Sequence, residues 1–182
     1  VLLPPPLHLE HLDRPGVRSR MLELWGQEVE DLEVSRRPRH TWPYGRYLAT
    51  AGWRGFLDAM PVAVADREMV WLANEMARGN YWLAEYVQHR RSGSVAVRVS
   101  QPSALVSLAY GEYNTAYVRA VASLALDEGI SVCEIYRAAA ANAPRDGCSP
   151  MEGARVTCAA VLEGHRAYDR QDLHVSEISV PA

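Results

Sequence analysis

The residues best suited to chemistry fall into three groups. His8, Glu10, His11 and Asp13 stand close together, and imidazole with carboxylate is a donor set for zinc or a harder divalent ion. Their H-x-E-H-x-D spacing lies in a proline-rich stretch, however, and not on the rigid helix that an H-E-x-x-H motif supplies. Polar residues in an extended arm are the simpler account, and no metal site is assigned. The second group is Cys133, Cys148 and Cys158 with His165 and His174. None of these has the short paired spacing of a zinc site. Cys148 with His165 or His174 is the least implausible nucleophile pair, but nothing near Cys148 predicts the lowered thiol pKa that a reactive cysteine needs. Cys133 alternates with Val132 and Glu134 on an expected strand, which reads as a buried, inert thiol.

The third group is the stretch SRRPRHTWPYGRYLATAGWRG at residues 35–55, with five arginines and no acidic residue. Arg36, Arg37, Arg39 and Arg46 with Trp42, Tyr44 and Tyr47 could contact phosphates and stack on bases. The same residue types are enriched at the centres of protein interfaces, and Leu48, Trp53, Phe56 and Leu57 that follow look like core. An acidic helix directly before the stretch offers it an internal or subunit partner. Contact with protein is therefore expected, with nucleic acid second.

Other chemistries lack their motifs. The sequence contains neither a GxGxxG nor a GxxxxGK[ST] run, and no G-x-S-x-G elbow. It has no lysine at all, which removes Schiff-base catalysis and the usual phosphate-loop cation. Glu152 and Glu163 carry no mark that separates them from surface charge. No cofactor is expected.

The elements that would position these groups can be read from periodicity. A chain of 182 residues with 48% apolar and 23% charged residues suits one soluble domain; at this length roughly 70% of the unfolded surface is buried. A net charge of −3 argues against a general nucleic-acid binder. No apolar run approaches the roughly 20 residues that a membrane helix needs. No secretory signal precedes the three cysteines, so synthesis in a reducing cytoplasm is expected.

Residues 1–16, VLLPPPLHLEHLDRPG, read as an extended arm. Three consecutive prolines enforce its path, and Leu2, Leu3, Leu7 and Leu9 require a surface to lie on. Residues 17–34 predict an amphipathic helix on Met21, Trp25, Val29 and Leu32. A second helix is expected from Asp66 to Arg78, and a third from Asn80 to about His89 on Leu83 and Val87. The period then changes. SVAVRVS at 94–100 alternates like a strand, with ALVSLAY after Pro102 as its expected partner. A helix over 113–128 is capped by Gly129. ISVCEIYRA, ARVTCAAVLEG and DLHVSEISV read as strands, with a polar loop at 142–153. The expected fold is α+β: an arm (1–16), a mainly helical segment (17–92) and a sheet-containing segment (93–182) in one compact body.

The succession from Gly129 through ISVCEIYRA to DGCSPMEGARV resembles the C-terminal part of MuF-type minor head proteins of tailed bacteriophages, on Asp146, Cys148, Met151 and Gly153. Where that family closes on H-P-x-C-R-C, this chain reads GHRAYDRQDLH. The resemblance implies a structural role in a virion head or its connector, among protein subunits. The alternative is a small cytoplasmic enzyme or nucleic-acid-associated factor. Loss of residues 1–16 separates the two, because it should abolish incorporation into a complex and leave any solution activity intact.

Overall fold

The structure, a computed structural model, describes residues 16–34, 47–78, 81–90, 93–134 and 153–164. The fold is α+β, mostly helical, with two small antiparallel sheets among the described residues. The chain divides into two units, one formed by Met21–Ala116 and the other by Val1–Arg20 with Tyr117–Ala182.

In the Met21–Ala116 unit, the helix expected at 17–34 is α1 (Val17–Val34). Burial concentrates in its first half. Met21, Leu24 and Trp25 are buried, whereas Val29 and Leu32 are half-buried and Val34 is exposed. Helix α2 (Thr50–Asp66) follows. It runs through Pro61, which has no N–H to give the carbonyl four residues back and costs a helix interior about 3 kcal/mol. Buried Trp53, Phe56, Met60, Ala63 and Val64 lie on both sides of that position. A large side chain contributes about 1.5–3 kcal/mol on burial, so the packed face outweighs the proline. Trp25 meets Phe56 edge to face, with ring centroids 5.7 Å apart.

Helix α3 (Met69–Arg78) begins after a two-residue connection and buries Met69, Leu72 and Met76, the face expected from their spacing. Its last turn is held by Trp82, whose indole N–H donates to the Met76 carbonyl at 3.1 Å. That carbonyl would otherwise lie among the unpaired groups of a helix end.

The helix expected over residues 80–89 is instead a strand. β1 (Glu85–Arg90) pairs antiparallel with β2 (Gly93–Arg98), from Glu85↔Arg98 to Arg90↔Gly93. The four-residue spacing of Leu83 and Val87 suits a helix, but the valine-rich alternation that follows supplies a strand partner. The ladder's last pair is Arg90↔Gly93, and Gly93 at φ +119° occupies a conformation that side chains resist. ALVSLAY, expected to pair with SVAVRVS, is likewise corrected. It forms the start of α4 (Gln101–Asp127), with Pro102 in the first turn, where its missing N–H costs nothing. In this unit α4 buries Ala104, Leu108, Ala109, Glu112, Tyr113 and Ala116, a stripe at helical spacing.

In the second unit, Gly16 at φ +89° leads into the first turn of α1, and its carbonyl accepts from the Arg20 N–H at 2.9 Å. The Arg20 guanidinium reaches Ser123 Oγ at 3.1 Å and pairs with Asp127 of α4 at 2.5 Å. The expected cap at Gly129 is present. Gly129 stands at φ +78°, its N–H bonds to Leu126 O, and the Ile130 N–H bonds to Ala125 O at 2.8 Å. These two bonds define a Schellman motif, which satisfies carbonyls that the last turn leaves free. β3 (Val132–Glu134) then pairs antiparallel with β4 (Arg155–Thr157). The strand expected over ARVTCAAVLEG stops at Thr157. Its hydroxyl accepts from the Ala160 N–H at 3.1 Å and caps α5 (Cys158–Gly164).

Candidate functional site

Among the described residues, the surface that stands out is the β1–β2 hairpin. Its base is well anchored. Leu48 bridges Trp82, the Ala49 N–H bonds to Tyr81 O at 2.7 Å, and the Leu83 N–H bonds to Tyr47 O at 2.8 Å. Tyr47 packs edge to face on Tyr86, the second residue of β1, at a centroid distance of 4.7 Å. The two glycines of α2 make this seat possible. A Cβ on Gly52 would collide with the Tyr81 carbonyl oxygen, and one on Gly55 would lie 2.8 Å from the Tyr81 ring.

Away from this base β2 opens to solvent. Tyr86, Val97 and Val95 fall on one face by register; Tyr86 and Val97 are half-buried, and Val95 is 44% exposed. Ser94, Ala96 and Arg98 of β2 are exposed as well, as is Leu83 just before β1. Among the described residues the sheet has two strands, and no further strand of that set pairs with either outer edge. Such edges are templates for pairing with another chain.

The second notable group is electrostatic. Glu112, 9% exposed, lies in the buried stripe of α4. Burial raises its carboxyl from the ordinary 4.5 to about 8, and the negative charge of Glu28 on α1 adds to the rise. At neutral pH it is therefore a carboxylic acid that can donate a hydrogen bond. Nearby on the same helix, the buried Tyr110 hydroxyl has no hydrogen-bond partner among the described residues, and burial raises its pKa as well. No group of three or more metal-ligating side chains occurs among the described residues.

Of the residues singled out in the sequence, Tyr47 is placed at the hairpin base, as packing within the fold. Gly153 is placed at φ +80°, just before β4. Cys133 is half-buried on β3, where its thiol donates to Val156 O at 3.6 Å, and Cys158 is fully buried. Burial raises the Cys133 thiol, and Cys158, within hydrogen-bonding reach, raises it further. Glu163 is exposed on α5. Leu2, Leu3, Leu7, Leu9, Arg36, Arg37, Arg39, Trp42, Tyr44, Arg46, Asp146, Cys148 and Met151 lie outside the described residues. The same holds for His8, Glu10, His11, Asp13, Glu152, His165 and His174. Glu112 was not singled out by spacing, although it is the one acidic residue between Gln101 and Leu126.

No helix among the described residues is long and apolar enough to cross a membrane. Compared with known protein families, with curated proteins and with solved structures, the chain matches none.

Proposed function

We propose that this chain is a structural subunit that assembles with copies of itself inside a larger complex, with the β1–β2 hairpin as part of its contact surface. The observation that carries the reading is the exposure of that hairpin. A two-stranded sheet is marginal in water on its own, and here one end is anchored while Val95 is exposed and, among the described residues, no third strand joins the sheet. Covering Val95 and the sheet edges with a neighbouring subunit would bury apolar surface and satisfy edge backbone groups together. The resemblance of residues 129–153 to MuF-type minor head proteins supports a phage head or connector as the complex. The apolar arm at residues 1–16 and the arginine-rich stretch at 35–55 supply further candidate contacts with protein, and nucleic acid is a secondary partner.

The test is light scattering after size exclusion on the full chain, with absorbance recorded at protein and nucleic-acid wavelengths. The expected species is larger than a monomer, free of nucleic acid, and reduced in mass by Val95→Asp. A monomer at every accessible concentration would sink the reading. Strong nucleic-acid absorbance that disappears at high salt would move the function to the nucleic-acid class.

A further inference from the structure

The β3–β4 ladder brings together two cysteines that the sequence keeps far apart. Its register pairs Val132 with Thr157 and Cys133 with Val156. Cys133 therefore stands beside Val156 on one face of the ladder, and Cys158 opens α5 two residues beyond Val156. Backbone bonding continues past the ladder to hold it there, because the Cys158 N–H donates to Ser131 O at 2.9 Å. The Cys133 thiol lies along β4, donating to Val156 O at 3.6 Å, with the Cys158 thiol within hydrogen-bonding reach. Both are free thiols. A thiol is a weak donor, so little is lost if the Cys133 side chain turns away from that carbonyl.

We propose that Cys133 and Cys158 form a reversible intramolecular disulfide that ties β3 to the start of α5. This inference is independent of the assembly reading. Exposure sets the order of events: Cys133 is half-buried and Cys158 is fully buried. Because burial raises the Cys133 thiol, its thiolate is the minor form near neutrality and the exchange quickens as pH rises. That thiolate attacks a small disulfide such as oxidised glutathione, forming a mixed disulfide and releasing one glutathione thiolate. The Cys158 thiolate then attacks the Cys133 sulfur, forming the internal bond and expelling the second glutathione. Two cysteine thiols are oxidised, one small disulfide is reduced to two thiols, and the two cysteine protons end on the released glutathiones. The bond closes a loop through residues 134–157, which contains Cys148. Closing a loop of this length restricts the unfolded chain and so favours the folded one.

The sequence makes the pairing readable. With no lysine, trypsin cuts only after arginine, and Arg119, Arg137, Arg145, Arg155 and Arg166 place the three cysteines on three peptides. The folded full chain is equilibrated with graded mixtures of oxidised and reduced glutathione. It is then quenched in acid, alkylated, digested without reduction and weighed by mass spectrometry. The expected product joins peptide 120–137 to peptide 156–166, with Cys148 alkylated, and the oxidised chain melts at a higher temperature than the reduced one. A link to peptide 146–155 overturns the proposal. So does a glutathione adduct left on Cys133, or three alkylated peptides at the most oxidising ratio. Cys158→Ser should abolish the link but alters a buried position, so the second variant is Cys148→Ser, which leaves the pair untouched and must retain the link.

Discussion

In α2 and α3 the large side chains turn inward, and Trp53, Phe56, Met60, Met69, Leu72 and Met76 are each 2% exposed or less. In the hairpin that follows, β2 keeps only Val97 half-buried, and Val95 stands in solvent. The two regions adjoin in sequence and share an anchor, since Trp82 closes α3 and Tyr81 sits against α2 immediately before β1. They differ in where their stabilisation comes from. The helix pair contains its own partners. The hairpin is set in place at one end, and Val95 on β2 stays exposed. Stability and contact with other chains should therefore respond to different residues.

The strongest way to break that separation is in the helix pair. Phe56→Ala should destabilise the fold by about 3–5 kcal/mol, read as a lower urea midpoint. An equally large effect from a hairpin-tip residue would erase the distinction.

Next comes Glu112, whose carboxyl is raised in the folded state. The folded protein holds more protons than the unfolded chain between about pH 4.5 and about 8. Stability is therefore full below 4.5 and falls as pH climbs through 8. Glu112→Gln should flatten this profile, gaining up to about 5 kcal/mol over the native chain at pH 9 and little at pH 4. Parallel profiles for the two proteins would show that the carboxyl is not desolvated.

Gly52→Ala should cost about 1–3 kcal/mol, because the added carbon meets backbone at Tyr81. Alanine is otherwise the better helix former. Gly26→Ala on α1, with nothing within 4 Å of the new carbon, should instead stabilise by about 0.5–1 kcal/mol. Thermal melts of the two variants sharpen the case for a packed seat beneath the hairpin. The smallest effect on folding is expected from Val95→Asp, within about 0.5 kcal/mol, although it should lower the assembled mass.

Much of the fold was legible where one rule acted alone. Met69, Leu72 and Met76 mark α3 by period, SVAVRVS alternates as β2 does, and Gly129 caps α4 as read. Reading failed where local signals opposed the tertiary outcome. Gly52, Gly55 and Pro61 are poor helix residues, yet α2 contains all three because the glycines admit Tyr81 and the apolar face is buried. ALVSLAY is apolar enough to suit either state, and only its continuation through Tyr113 decides for a helix. Thr157 reads as a strand residue and also ends the strand, as a cap. Of the candidate site, the arginine and aromatic types could be read. The exposure of Val95, the burial of Glu112 and the meeting of Cys133 with Cys158 are long-range consequences of packing, which no local spacing announces.

The buried Glu112 carboxyl also gives folding a proton stoichiometry. At pH 7 the unfolded chain has released this proton and the folded one retains it, so folding takes up close to one proton from solution. The folded chain then carries a net charge of about −2, one unit less negative than the formal −3. The calorimetric enthalpy of unfolding near neutrality should accordingly depend on the buffer, shifting between phosphate and Tris by the difference in their ionisation heats. In Glu112→Gln that dependence should vanish.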